Sequence, residues 1–533
     1  MSHASPALGA PADAKNADPR AWPSAYEPVS MTAKELLDAA AKAEGSLAEG
    51  EHTVRVAYTF RDGGLDGTAK ELWRGHDYRF DSTTGPIVTA EGRYHGQLWE
   101  TTENGYTLLK RGVHKRTEAN ARALENPDEG DDVRMLGRLR APTDVYVLSV
   151  SPPNGRPERR FYDAATFLLV RRETTVLGRL IVSTYDDYHT DRGVATAYRT
   201  ASSDGRVEND IVWRVTRIDV DVPVDDAELA IPGSRRIPVR MPDERSTVRL
   251  PARIDEDGHV IVRLTINGRG LDFQLDSGAD GIVIDRDVAR QLGLKAMGRW
   301  SETVAGTYSS SEVIVPMVQI GKVVMTDTVM SALPFSFEDD TSTKVVGLLG
   351  FDFIAGCVLK IDYANGTVDA IPVDAFQPPV NATVLDTVLD DRVPMVSVLA
   401  NGALGNHFIL DTGADDVLFF TPFAQAHPDA VDDHSPGKYV SRMFNSVFAD
   451  GVGGKVHMRA VVIEHMQLAT VRYNDLVAFV ITGHQQAFEG EDEDGLLGVS
   501  VLRAFDVYLD YANARVVLVP NKYTKPITSA KKP

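Results

Sequence analysis

The stretch Phe273-Gln274-Leu275-Asp276-Ser277-Gly278-Ala279-Asp280 returns 135 residues later as Phe408-Ile409-Leu410-Asp411-Thr412-Gly413-Ala414-Asp415. Two further landmarks repeat in the same order. Gly347-Leu348-Leu349-Gly350 matches Gly495-Leu496-Leu497-Gly498, and Ile361-Asp362-Tyr363-Ala364-Asn365 matches Leu509-Asp510-Tyr511-Ala512-Asn513, both 148 residues apart. Three matches in one order do not arise from composition, so the chain holds two copies of one unit. The wider second spacing places an insertion of 13 residues between the first and second landmarks of copy two.

Each copy opens with an alternating strand, Val262, Leu264 and Ile266 in the first and Val396, Val398 and Ala400 in the second. Asn267-Gly268 and Asn401-Gly402 follow, the dipeptide that most favours a two-residue hairpin. The next strand ends in Asp-Ser/Thr-Gly. Its glycine permits the tight turn that brings a carboxylate off the strand end. The small hydroxyl residue can hydrogen-bond to its counterpart and tie the two turns together, and Ala279 and Ala414 leave room beside them. The later Leu-Leu-Gly suits a buried strand beneath the acidic turn, where glycine lets another backbone come close.

Asp-Ser/Thr-Gly-Ala-Asp followed by two hydrophobic residues and glycine resembles the retropepsin-like aspartic proteases, over about residues 250–522. The resemblance implies a mainly β fold: two tandem acid-protease β-barrel units forming a pseudo-dimer, with lobes at 248–375 and 376–522. Retroviral members pair as homodimers; here both units lie in one chain, as in pepsins, so a monomer suffices. The implied activity is aspartic endopeptidase, with Asp276 and Asp411 sharing one proton and activating a water against a peptide bond. Ser277, Gly278, Thr412 and Gly413 support that pair. Ala279, Asp280, Ala414, Asp415 and Gly306 are implied substrate contacts, although Asp280 and Asp415 can equally cap their turns. The family's order of elements puts flaps at Thr303–Tyr308 and Asp450–Lys455, where ordinary hairpin tips are the other reading. No cofactor is required and no metal site is expected: the 13 histidines are scattered, and no His-Glu-x-x-His occurs. The acidic run Glu489 to Asp494 reads as a solvated loop.

Upstream, residues 1–30 read as a disordered leader with prolines at 6, 11, 19, 23 and 28. A short helix over about 31–44 is capped by Thr32 with Glu35 three residues on. From Val54 the period becomes two, and strand candidates separated by turn signals continue to about Pro232. Tyr146-Val147-Leu148, Arg159-Arg160-Phe161-Tyr162-Asp163 and Leu168-Leu169-Val170-Arg171 resemble the curved antiparallel sheet of bacterial lipoprotein carriers. This sheet domain spans 31–232, a polar linker follows at 233–247, and 523–533 is a tail. The competing function is a non-catalytic carrier of peptide or lipid; a zymogen whose sheet domain or leader masks the site is a third. Both aspartates and both glycines are intact, which favours the enzyme.

The 533 residues carry 56 basic and 76 acidic side chains, a formal charge of −20. Such a surface repels nucleic acid and anionic lipid, so a polypeptide is the expected partner. No apolar run of about 18 residues exists to span a membrane. Cys357, the single cysteine, excludes an internal disulfide and reads as a small buried hydrophobe. The first 30 residues show no secretory signal. The compartment stays open, with the carrier resemblance leaning toward an extracytoplasmic one.

Overall fold

A computed structural model describes residues 20–47, 52–111, 116–125, 132–153, 155–176, 179–234, 239–303, 306–335, 337–338, 342–389, 392–432, 447–451, 454–482 and 493–524. The chain divides into two compact units, 1–70 with 115–223 and 71–114 with 224–533.

In the first unit the strand Thr53–Asp62 and seven strands from Val133–Leu139 to Ile211–Val220 form an antiparallel sheet, the seven running as a meander. The first strand pairs with the last, Val54 opposite Val220. In the second unit Asp77–Thr84, Ile87–Tyr94, Gln97–Thr101 and Thr107–Lys110 run as another meander. In the first unit the helix Ala33–Glu44 is closed by the expected capping box: the Thr32 hydroxyl accepts from the Glu35 amide, and the Glu35 carboxylate accepts from the Thr32 amide. Its buried Leu36 and Ala40 meet Leu148, Val150 and Tyr162. Residues 20–30, part of the stretch read as a leader, lie along this sheet. Trp22 stands edge-on to Phe161 beneath the Arg171 guanidinium, and Glu27 bridges to Arg138.

The second unit contains the repeat. In its first lobe the strands Val260–Ile266 and Arg269–Leu275 form a hairpin, and in its second Met395–Ala400 and Ala403–Leu410 do the same. Both Asn-Gly turns adopt the left-handed backbone that the dipeptide favours: φ is 50° and 75° at Asn267 and Gly268, and 43° and 89° at Asn401 and Gly402. The Leu-Leu-Gly strands, Lys344–Leu349 and Gly495–Leu497, run parallel to the strand that ends in the aspartate. Leu275 lies opposite Leu349, and Leu410 opposite Leu497. On their other edge they pair antiparallel with Ile282–Asp285 and Val417–Phe419. Buried on both faces, these strands are continuously apolar rather than alternating, which is why they read as one short hydrophobic run.

A further sheet of six strands is assembled from both lobes in the order Val248–Arg249, Thr367–Ile371, Val358–Asp362, Phe505–Asp510, Arg515–Pro520, Thr383–Asp386. Its central antiparallel pair joins the two copies of the third landmark, with Leu359 opposite Leu509 and Asp362 opposite Asp506. The insertion falls between the strand after the acidic turn and the following hairpin: residues 286–296 fill that interval in the first lobe and 420–446 in the second. Of the second interval, 433–446 lie outside the described residues.

Candidate active site

Each aspartate is hung from the buried strand beneath it. The Asp276 amide donates to Leu349 O (3.2 Å) and the Asp411 amide to Leu497 O (3.0 Å). The glycine that closes each Leu-Leu-Gly lies directly under the turn. A Cβ on Gly350 would stand 2.5 Å from Ala279 O, and one on Gly498 2.5 Å from Ala414 O, so no larger residue fits.

The hydroxyl residues then tie turn to turn. The Ser277 amide donates to Thr412 Oγ1 (3.0 Å) and the Thr412 amide to Ser277 Oγ (2.9 Å). Each hydroxyl passes its own proton to a carbonyl of the opposite strand, Ser277 Oγ to Leu410 O (2.6 Å) and Thr412 Oγ1 to Leu275 O (3.0 Å). Both side chains are fully buried, so these four bonds form where water cannot compete. Gln274 adds a bond from Nε2 to Gly413 O (3.2 Å), and the buried Tyr511 hydroxyl one to Ser277 O (3.3 Å).

This network sets the two carboxyls face to face, close enough to hydrogen-bond to each other. Each is also fixed by the amide two residues on, Gly278 N to Asp276 Oδ1 (2.8 Å) and Gly413 N to Asp411 Oδ1 (2.7 Å). Each carboxyl lies over the opposite glycine: a Cβ on Gly278 would be 2.6 Å from Asp411 Oδ2, and one on Gly413 2.7 Å from Asp276 Oδ1. Burial raises both carboxyls above the usual range. Asp276 rises further because Asp411 adds its charge and hydrogen bond. Asp411 is held lower by the Gly413 amide, by the bond from Asp276 and by the nearby His259. Two carboxyls so coupled share one proton and titrate as a pair.

The remaining sequence candidates are distributed unevenly. Ala279 and Ala414 accept from the amides of Phe351 (3.1 Å) and Val499 (2.8 Å), which bind the turns to the short helices behind them. Asp280 and Asp415 are both exposed as residues, although burial of its carboxyl raises Asp280, and Asp415 meets His259 Nε2 at 2.8 Å. Burial opposes charge on that imidazole; the bonds to Asp415 and Asp255 outweigh it and raise His259 to about 9. Gly306 lies at the tip of the hairpin in which Thr303 opposes Thr307, beside 304–305, which are outside the described residues. In the second lobe Gly451 opposes Gly454 at the equivalent tip, with 452–453 likewise outside. Of the acidic run, Glu489, Glu491 and Asp492 also lie outside, while Asp494 accepts from the His407 amide (2.9 Å). Cys357 is buried, as expected. Among the described residues no group of three or more His, Cys, Asp or Glu is placed to hold a metal, and no helix is long and apolar enough to cross a membrane.

Two residues escaped the sequence reading. Tyr511 was visible only as a letter in the third repeated landmark, where its counterpart is Tyr363. His259 left no signal, because it belongs to one lobe and serves the other.

Residues 262–353 and 396–501 match the family model described as aspartyl protease. The second half of the chain thus carries an aspartic protease-like domain. A search of the curated proteins finds no match. Among solved structures, a DUF1329 family protein from Desulfovibrio piger is 16% identical over 37% of this chain and 97% of its own, with a TM-score of 0.29. A LolA superfamily protein from Nitrosomonas europaea is 16% identical over 38% of this chain and 98% of its own, with a TM-score of 0.28. Both matches cover the N-terminal part.

Proposed function

We propose that the protein is a retropepsin-like aspartic endopeptidase, with two fused copies of one unit supplying one aspartate each. The observation that carries this reading is the reciprocal Ser277–Thr412 bonding that sets Asp276 and Asp411 carboxyl to carboxyl. Two carboxyls so placed share a proton, because like charges at hydrogen-bonding distance cannot both persist. The ionised partner of the pair draws a proton from a water held between them, and the protonated partner donates to the scissile carbonyl oxygen. The tetrahedral intermediate that results is not covalently attached to the protein, and its collapse breaks the C–N bond as the amine leaves with a proton. Asp276, Asp411 and the supporting Ser277, Gly278, Thr412 and Gly413 are the residues we assign.

The test is cleavage of an unfolded protein substrate at acid and neutral pH. Asp276→Asn and Asp411→Asn each lower the rate at least about a thousandfold, as expected when one of two acid–base partners is lost. Their circular dichroism stays that of the parent. Undiminished cleavage by either variant removes the pair from the mechanism.

A further inference from the structure

We infer that Tyr106, carried by the meander upstream of the repeat, is a positioning residue for the catalytic pair, and that its turn is clipped across both lobes. The inference deepens the proteolytic reading and rests on it for the reaction whose rate is measured.

The turns of that meander are not alike. Those at Gly85 and Gly96 are exposed, with nothing near the place a Cβ would take, as is usual for hairpin tips. The last, Thr102–Tyr106, is closed by bonds from the Thr102 amide to Tyr106 O (2.8 Å) and from the Gly105 amide to Thr102 O (2.9 Å). Its Thr102, Asn104, Gly105 and Tyr106 are buried. Buried polar groups need partners, and this turn finds them on both lobes. On the first lobe Asn104 stands in for a strand residue: its Nδ2 donates to Val329 O (3.0 Å) and its Oδ1 accepts from the Val329 amide (2.9 Å). Val329 falls on the edge of Val323–Leu333 between its pairings with Val239–Arg240 and with Ile282–Asp285, so the side chain continues the ladder there. On the second lobe Arg392, just before the strand Met395–Ala400, brings Nη1 to 2.7 Å from Glu103 Oε2 and Nε to 3.7 Å from Glu100 Oε1. Arg392 holds a left-handed backbone, with φ at 64°, which a residue other than glycine adopts only under constraint.

Tyr106 connects this clip to the reaction centre. Its hydroxyl donates to Asp352 O (2.8 Å), and its ring stands edge-on to Phe351 with centroids 5.7 Å apart. Phe351 is where the supports of the acidic turn meet. Its amide donates to Ala279 O (3.1 Å), and its ring lies 5.9 Å from that of Tyr511, whose hydroxyl holds Ser277 O. A shift of Phe351 is therefore felt on both sides of Gly278. The second lobe meets the same need from within. Tyr473 donates to Val501 O (3.2 Å), in the short helix whose Val499 amide holds Ala414 O. At the 148-residue spacing of the later landmarks Tyr473 falls on Met325, and the left-handed Asp475 and Asp327 two residues on agree with that register. Methionine has no hydroxyl. The one that the first lobe lacks is supplied by Tyr106.

The test compares Tyr106→Phe, which keeps the ring and loses the hydroxyl, with Tyr188→Phe in the other unit, which loses a like bond to Leu169 O (2.6 Å). Tyr106→Phe lowers kcat on an unfolded protein substrate at least about tenfold with KM within about twofold, the scale of one lost hydrogen bond. Its pH profile narrows, because carboxyls held less firmly couple less and their two apparent values draw together. Burial raises the Asp352 carboxyl to about 7, so it stays protonated through the acid limb, which reports the pair. Asn104→Ala, which strips both partners from Val329, acts in the same direction. Tyr188→Phe lowers stability alone. Hydrogen exchange adds a readout without turnover: the amides of residues 276–280 exchange at least about tenfold faster in Tyr106→Phe and at the parent rate in Tyr188→Phe. A Tyr106→Phe protein that melts lower yet keeps the parent's kcat and pH profile overturns the inference and leaves the turn a packing element. If the parent protein cleaves nothing, the proteolytic reading falls by itself and exchange decides: a faster rate at 276–280 upholds Tyr106 as the support of the pair, and an unchanged rate overturns it.

Discussion

The two lobes share a backbone and differ in the charges set around it. Both hang their aspartate from a Leu-Leu-Gly strand, both close an Asn-Gly hairpin with left-handed residues, and both contribute one hydroxyl to the bonds between Ser277 and Thr412. Yet the second lobe pairs Asp415 with His259, whereas Asp280 lies in the field of Arg392, Glu103 and Glu302 without such an ion pair among the described residues. Backbone geometry tolerates little change, since a Cβ at Gly350 or Gly498 would collide with the turn above it. Surface charges tolerate much. A duplicated unit can therefore keep its shared centre symmetric while its two ends come to present different chemistry.

The largest expected effects lie at the symmetric centre. Ser277→Ala or Thr412→Ala strips a hydroxyl and leaves a buried amide without its acceptor, which costs about 1–3 kcal/mol in each case. Chemical denaturation measures it. Because the two hydroxyls serve one another's backbones, the double variant loses less than the sum of the singles. Strict additivity would show that the two lobes are less tightly joined here than their bonds suggest.

The asymmetric ends give smaller effects, which share one sign in pH and differ in the window where they act. His259 has a raised folded-state value, so its stabilisation is complete below its unfolded value near 6.5 and is lost as pH rises through about 9. His259→Gln removes that pH-dependent part, on the order of 1–2 kcal/mol once screening of the exposed Asp415 is counted, and thermal melts between pH 6 and pH 10 reveal it. The same variant takes a positive charge away from Asp411, so the acid limb of the cleavage–pH profile moves to higher pH. An unmoved limb with lowered stability would leave His259 a purely structural residue.

Glu312 behaves in the same sense at lower pH. Burial raises it to about 7, so the folded chain holds a proton that the unfolded chain releases near 4.5, and stability falls as pH climbs between those values. Glu312→Gln flattens that slope. Its melting temperature matches the parent at pH 4 and exceeds it at pH 8; the same deficit at both pH values would contradict the assigned shift.

How much of this was legible beforehand follows from what each feature depends on. The acidic turns, the Asn-Gly hairpins and the Leu-Leu-Gly strands are dictated by local backbone needs, and each occurs twice in the sequence. Thr32 and Glu35 were equally legible, because a capping box is three residues of local chemistry. His259 was not, since its partner Asp415 lies in the other lobe. The turn carrying Glu103 and Asn104 was not either: Asn104 meets Val329 across 225 residues of chain, and no period or motif records such a meeting. Burial-driven shifts at Asp352 and Glu312 depend on the whole packed surrounding and leave no trace in spacing.

The six-stranded sheet that joins the lobes has a consequence for the order of synthesis. Its strands Phe505–Asp510 and Arg515–Pro520 follow both acidic turns in the chain and are synthesised after them. Until Phe505–Asp510 arrives, Val358–Asp362 is an unpaired edge, and Tyr511 is not yet present to hold Ser277. A chain made only as far as the second acidic turn holds both aspartates without the strand pairing that joins the two lobes beneath them.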